Sequence, residues 1–251
     1  MTILRSIQCE EGDSMSGGGS RAVRLLLVLV LGAGCGMPRD PEGTLERVRG
    51  GTLRAGVVER PPFTRVGQGP PSGVEARLVE ELASSLGATV EWTVGTEARL
   101  MEALTHRKLD LVIGGIPADT PYGAQVALSR PYLSARLTVG APPGKTVPRE
   151  LKGHPVAVEP GHSAIALLEE AGAVPEPTPQ VHAASGLRAG FDWQLEAWGY
   201  TAGEATLKNE EVLVVVAPGE NGWLRQVDLF LHENASKTRE RLVQSARGEA
   251  R

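Results

Sequence analysis

The stretch from Leu100 to Tyr132 constrains the fold most. Leu100, Met101 and Leu104 share one face of a helix expected over 97–106, and a nearly all-apolar run, 109–113, follows at once. A strand that apolar is buried on both faces and needs helices to cover it. The same alternation precedes it: a strand over 52–58, a helix over 74–86 closed by Gly87, and a strand over 88–94. Strand–helix–strand–helix–strand predicts an α/β fold with a parallel sheet. The run at 109–113 stops on Gly114-Gly115 and opens into a polar loop. Ligands of open α/β sheets sit at the carboxyl ends of the strands, so Gly115 is a candidate binding position.

Glu10, Glu11 and Asp13 do not suit a basic leader, whereas Met15 leads through Arg21 and Arg24 into an apolar run at 25–31, then Gly32-Ala33-Gly34-Cys35. That run is too short to span a bilayer and suits a cleaved signal peptide, residues 1–34, with Met15 as the better start. The order is similar to a bacterial lipoprotein signal, although Gly32 stands where Leu is preferred. The likeness implies that Cys35 is lipidated and anchors the chain to an extracytoplasmic membrane surface; the other reading is plain secretion with a free Cys35. Cleavage leaves 217 residues, at most one Cys, and an unchanged net charge of −4. A disulfide framework and a basic field for nucleic acid are both excluded.

Residues 35–50, rich in Gly, Pro and charge, are expected to be a tether. After the loop at 114–128 come a strand over 133–139, a crossing point at Ala141-Pro142-Pro143-Gly144, and a second unit that begins near Leu151. There the pattern predicts a strand to Val158, a helix over 161–171, a loop over 175–179, short helices over 182–188, 192–198 and 223–232, and a buried strand over 212–216. Residues 236–251 are expected to be a polar tail.

Three phrases carry a family resemblance: Lys108-Leu109-Asp110-Leu111 running to Gly114, Ser129-Arg130-Pro131-Tyr132, and Leu151-Lys152-Gly153 leading to Val158. The chain resembles the extracellular solute-binding proteins of ABC importers, in the polar amino-acid class, over about residues 50–235. The resemblance implies a two-lobed periplasmic-binding-protein type II fold with parallel-rich sheets. Lobe 1 would hold 51–140 and 207–235, and lobe 2 would hold 141–206. It also implies a monomer that binds a small polar solute for an ABC permease. In the family a buried strand follows the helix after the second-domain loop. Here Leu187-Arg188-Ala189-Gly190 runs straight into Phe191, so either lobe 2 is shortened by about eight residues or the region has diverged past alignment.

The family Arg that pairs with a ligand carboxylate is absent, because Tyr122 or Gly123 takes its place; Arg130 is close in sequence but belongs to another turn. Phe63 matches an aromatic that covers the ligand, or is a packed loop ring. Glu59, at a strand's carboxyl end, meets a cationic group or is solvated. Asp119 takes the loop's Thr position, and Tyr122 is a polar wall or surface. Gly161 and Ser163 match a helix start whose free N–H groups suit an anion, or Ser163 only caps the helix. Asp192 matches an Asp that holds a ligand amino group. Trp193, Trp198 and Trp223 form a ligand wall or, more often at helical spacing, core.

No cofactor or metal is expected. The five His residues lack ligand spacing, Gly140 to Thr146 is a residue short of a phosphate loop, and Gly161-His162-Ser163 lacks the second Gly of a nucleophile elbow. A non-catalytic binding protein is the leading reading. A receptor or adaptor lobe with weak ligand affinity is the second. A dehydratase-like enzyme with Glu59 or Asp119 as its acid is the third.

Overall fold

The computed structural model describes residues 40–249; the leader, Cys35 and the start of the tether lie outside the described residues. The tether ends earlier than its composition suggested. Thr44–Val48 forms a short helix, α1, with Val48 fully buried. The Glu220 carboxylate fastens it by accepting the N–H groups of Glu42 and Thr44, both at 3.2 Å, and a bond from Arg107 at 2.8 Å. Burial pushes the Glu220 pKa up, but these hydrogen bonds outweigh it and hold the carboxyl below its usual range.

Strand β1 (Thr52–Val57) lies between β2 (Thr89–Val94) and β3 (Leu111–Pro117), all parallel. Helices α2 (Val74–Ser85) and α3 (Glu97–Thr105) connect them and cover opposite faces. The period of two sorts β3 between two cores. Leu111 and Ile113 pack in the core that holds Val79 and Leu82 of α2, while Val112 and Ile116 pack with Leu100, Met101 and Leu104 of α3. The expected stop at Gly114-Gly115 is a bulge instead. Val112 pairs with Val215 and Ile116 with Leu213, so four positions on β3 span two on its partner and the glycines are looped out.

A two-residue strand, β4 (Ala127–Leu128), leads into β5 (Leu133–Ala141). The second lobe adds β6 (Pro155–Val158), α4 (Ala164–Glu170), β7 (Val174–Pro177), a single 3₁₀ turn at Val181–Ala183, β8 (Leu187–Phe191) and α5 (Asp192–Ala197). The chain returns along β9 (Thr201–Val216), which pairs with β5 from Leu133↔Val212 to Ala141↔Thr201. Its inner half continues as Val212 to Val216 beside β3, alternating between the same two cores. One continuous sheet results, in the order β2-β1-β3-β9-β5-β8-β6-β7.

Two expectations for the second lobe are corrected. Residues 175–179 were expected to be a loop, yet Val174–Pro177 is an edge strand parallel to β6, a position that tolerates its prolines. Residues 182–188 were expected to be a helix, with the following strand missing. The strand is present as β8, parallel to β6 and antiparallel to β5. Arg188 disguised it. The side chain is only 2% exposed, donates to the His182 carbonyl at 2.6 Å, and lies 3.6 Å from the centre of the Tyr200 ring, whose hydroxyl it also bonds. The lobe is nonetheless shortened as expected, with only the 3₁₀ turn between β7 and β8, and it has one core around Val156, Val158, Leu168 and Leu137.

The polar tail is likewise corrected. One 29-residue helix, α6 (Asn221–Glu249), replaces the short helix and the tail. Trp223, Val227, Leu231, Thr238, Leu242 and Ala246 are buried along one stripe, and the polar Thr238 hides its continuity in the sequence. Arg241 clamps Glu81 of α2 through two bonds at 2.7 and 2.9 Å, and Arg239 reaches Glu196 of α5 at 2.9 Å. Leu242→Ala is expected to cost about 2–5 kcal/mol, the range for an emptied leucine site. That lowers the Tm by roughly 4–20 °C for a chain of this size. A circular dichroism melt unchanged by this substitution would show that the helix end carries no load.

Candidate functional site

The loop after β1, the β3 bulge, the loop after β6, the start of α5 and the middle of β9 surround a cleft of about 600 Å³ between the lobes. Glu59, Arg60, Pro61, Pro62 and Phe63 come from the first loop and Gly115 from the bulge. Glu159 to Ser163 come from the third segment, Phe191, Trp193 and Gln194 from the fourth, and Glu210 from β9. A second cavity, of about 470 Å³, lies between the start of α2 and the end of α6, and its lining has no aromatic ring and no strand end.

Glycine is required at the bulge. Gly114 and Gly115 have φ of 144° and 58°, and a Cβ on Gly115 would sit 2.7 Å from the Phe63 ring. Beneath them lies Glu75, fully buried on α2. One carboxylate oxygen accepts the Gly115 N–H at 2.8 Å and the other accepts the Tyr132 hydroxyl at 2.6 Å. Glu75 therefore joins the cleft end of β3 to the start of β5. Burial raises its pKa, with the bonds from Tyr132, Gly115 and Gly114 and the charge of Arg60 acting against that rise. The Gly115 carbonyl accepts Nη1 of Arg60 at 2.7 Å, and Arg60 Nη2 reaches Glu97 at 3.4 Å.

An aromatic chain crosses the cleft floor. Phe63 meets Trp193 edge-on with ring centres 6.2 Å apart, Trp193 lies parallel to Phe191 at 6.2 Å, and Phe191 meets His162 edge-on at 6.1 Å. Trp193 is buried in the core of the first lobe while belonging to a helix of the second, so it ties the two together.

Of the candidate residues, the structure brings Glu59, Phe63, Gly115, Gly161 and Ser163 into this cleft and leaves three outside its lining. Asp119 is 67% exposed and accepts a bond from Lys208 at 3.1 Å beside a separate small pocket. Tyr122 packs on the core beneath α3. Asp192 accepts the N–H groups of Trp193 at 2.9 Å and Arg136 at 3.3 Å, so it starts α5 rather than facing a ligand. The cap at α4 is also not the expected one. The Ala164 N–H donates to His162 Nδ1 at 2.9 Å and the Ile165 N–H to the His162 carbonyl at 3.1 Å, so neither Ser163 nor an anion holds these donors. Arg130 is held by Asp228 of α6, its N–H donating at 2.7 Å. Among the tryptophans only Trp193 lines the cleft; Trp223 Nε1 donates to the Asp110 carbonyl at 2.9 Å in the core, and Trp198 lies beside Arg188.

Sequence reasoning missed Arg60, Glu159, Phe191, Gln194, Glu210 and the buried Glu75. Glu159 was findable, since it follows β6 as Glu59 follows the run 52–58, at a strand's carboxyl end. Glu210 had no signal, because the outer half of β9 alternates too weakly to read as a strand. Among the described residues, no group of three His, Cys, Asp or Glu side chains is placed to hold a metal, and no helix is long and apolar enough to cross a membrane.

Two α/β lobes joined by antiparallel strands, with a cleft where strand ends meet, define the type II periplasmic-binding-protein fold. The chain belongs to the bacterial extracellular solute-binding proteins, family 3, whose profile matches residues 53–246. Its fold is similar to that of an ancestral cationic amino acid solute-binding protein, with a TM-score of 0.64 at 20% identity over 81% of this chain and 98% of that one. It is also similar to the unliganded open L-cystine solute receptor of Neisseria gonorrhoeae, with a TM-score of 0.63 at 17% identity over 77% and 92%. A curated relative, membrane-bound lytic murein transglycosylase F of Vibrio cholerae, is 31% identical over 98 residues, which are 38% of this chain and 18% of that protein. The chain thus spans less than a fifth of the curated relatives it matches.

Glu75→Gln keeps an acceptor for the Gly115 N–H and an amide that can donate to Tyr132. Because burial raises the Glu75 pKa in the folded state, the wild type binds that proton more readily when folded. Its stability relative to the Gln variant is therefore full below the ordinary carboxyl range and is lost as pH rises through the raised pKa. The Gln variant should melt higher than wild type at pH 8, with the gap closing by about pH 4, where free Glu begins to protonate. Parallel melting curves across that range would contradict this.

Proposed function

We propose that the protein is a non-catalytic extracytoplasmic solute-binding lipoprotein. It holds a small polar solute of amino-acid size in the cleft and presents it to an ABC permease. Membership of the solute-binding family supports the class, and the single observation that carries the reading is the cleft itself. Two lobes that share a continuous β5–β9 pair face each other across rings and carboxylates from both sides. Such lobes close on a ligand by small changes in a few hinge residues. In this reading lobe 1 comprises 51–140 and the chain from 207 through α6, and lobe 2 comprises 141–206. Cys35 carries the lipid, and the protein acts as a monomer.

The 98-residue match to a membrane-bound transglycosylase favours one other reading, in which the lobes act as a sensing or docking part of a membrane-associated system. An acid at Asp119 for a dehydratase-like step has no support, because Asp119 lies outside the cleft lining and pairs with Lys208.

A thermal-shift screen of amino acids, amines, organic acids and sugars separates these readings. A true ligand at 100 times its Kd adds about 2.7 kcal/mol, a rise of roughly 5–11 °C. No shift with any solute would favour the docking reading. Cys35→Ala is expected to move the protein from the membrane fraction to the soluble one; sedimentation of this variant after a salt wash would reject the anchor.

A further inference from the structure

We propose that the cleft selects a small organic cation, bearing an ammonium, amidinium or guanidinium group, and does not need a carboxylate on that ligand. This deepens the solute-binding reading and rests on it.

The argument is one of charge balance. Glu59 enters from the first lobe, Glu159 from the second and Glu210 from the crossing strand β9, all lining one cavity. Among the described residues the Glu59 carboxylate accepts only the Val66 N–H, at 3.3 Å, and the Glu159 carboxylate has no hydrogen-bond or ion-pair partner, its backbone carbonyl alone accepting the His162 N–H. Arg60 is the one Arg or Lys in the lining, Lys208 stands outside it beside Glu210, and both are already paired. Arg60 is occupied by the Gly115 carbonyl and Glu97. Lys208 is shared between Asp119 at 3.1 Å and Glu210 at 3.6 Å. Three carboxylates and one guanidinium therefore line the cleft, an excess of two negative charges. Walls of low dielectric focus such a field into a cleft and raise the local concentration of cations.

The uncharged part of the lining agrees. Phe191 is the half-buried ring of the lining, backed by the buried Trp193, and ring faces attract ammonium and guanidinium groups. Backbone donors that would suit an anion are already engaged. The first amides of α4 are taken by His162, and the Gly115 N–H is taken by Glu75. A ligand carboxylate would have to draw Arg60 away from Glu97 or share it. The cavity, about 600 Å³, has room for a diamine or a guanidinoalkyl amine.

Calorimetry on the purified mature chain tests this with five probes: agmatine, 1,4-diaminobutane, arginine, glutamate and glucose. Agmatine is arginine without its carboxylate. Agmatine should bind at least as tightly as arginine, and glutamate and glucose should not bind. The Glu159→Gln and Glu210→Gln variants, checked by their melts to be folded, should each weaken cation binding about tenfold, and wild-type affinity should fall as salt is raised. Arginine binding tenfold tighter than agmatine would overturn carboxylate independence and assign Arg60 as an anchor. Binding of glutamate or glucose without any cation would overturn the ligand class while leaving the solute-binding reading intact. Silence from all five probes, and from the wider thermal-shift screen, would remove both.

Discussion

The antiparallel pairing of β5 with β9 is the constraint on which the rest of the structure depends. Both strands run through the two lobes, so every other strand is placed relative to them. At one end β9 extends the parallel sheet of β1, β2 and β3; at the other, β5 carries β8 and, through it, β6 and β7. The register slips between Leu137 and Thr138, and again before Gly140, which places two irregularities in the stretch where the chain passes from one lobe to the other. Bulges bend and twist a strand pair without ending it, and that turns one sheet toward two cores.

Around this pair, buried charge does the local positioning. Asp110, only 1% exposed, gathers Arg47 and Arg54 at the edge of the first lobe, and its backbone carbonyl receives Trp223. Glu220 receives α1 and Arg107, and Glu75 receives the β3 bulge and Tyr132. Each joins segments distant in sequence, and each satisfies backbone donors or cations that burial would otherwise leave unpaired. Leaving a buried donor unmet costs about 1–3 kcal/mol, so these carboxylates hold the loops on which the cleft depends. The bulge, the ring of Phe63 and the guanidinium of Arg60 are thus set by one acid lying below the cleft lining.

The long helix α6 adds a second link between the lobes. Its first half covers the sheet of lobe 1, and its second half reaches both α2, through Arg241, and α5, through Arg239. Movement of α5 would therefore be felt by the helix as well as by the strand pair. Arg239 also lies 3.8 Å from Asp192, so the residue that the family pattern suggested for a ligand instead belongs to this brace.

What the sequence determined by itself is the part written in local periods. The runs 52–58 and 88–94 and the helices at 74–86 and 97–106 appear within a residue of their observed limits, while the run 109–113 marks the buried part of a strand that continues past the bulge to Pro117. Alternation and one-sided helical faces are local signals. The strand-end rule placed Glu59 and Gly115 at the cleft for the same reason. What only the tertiary structure decided lies where a residue's partner is far away in sequence. Arg188 is tolerated inside β8 because Tyr200 and two carbonyls receive it, and nothing local announces that. Thr238 continues a buried helical stripe because its hydroxyl bonds back to the Asn234 carbonyl at 2.8 Å, so a polar residue stands in a core position and a helix reads as a tail. Asp119, Tyr122 and Asp192 left the cleft because Lys208, the core beneath α3 and the start of α5 claimed them. A local period reports which face a segment buries; which partner satisfies a charge on that face depends on the folded arrangement of the whole chain.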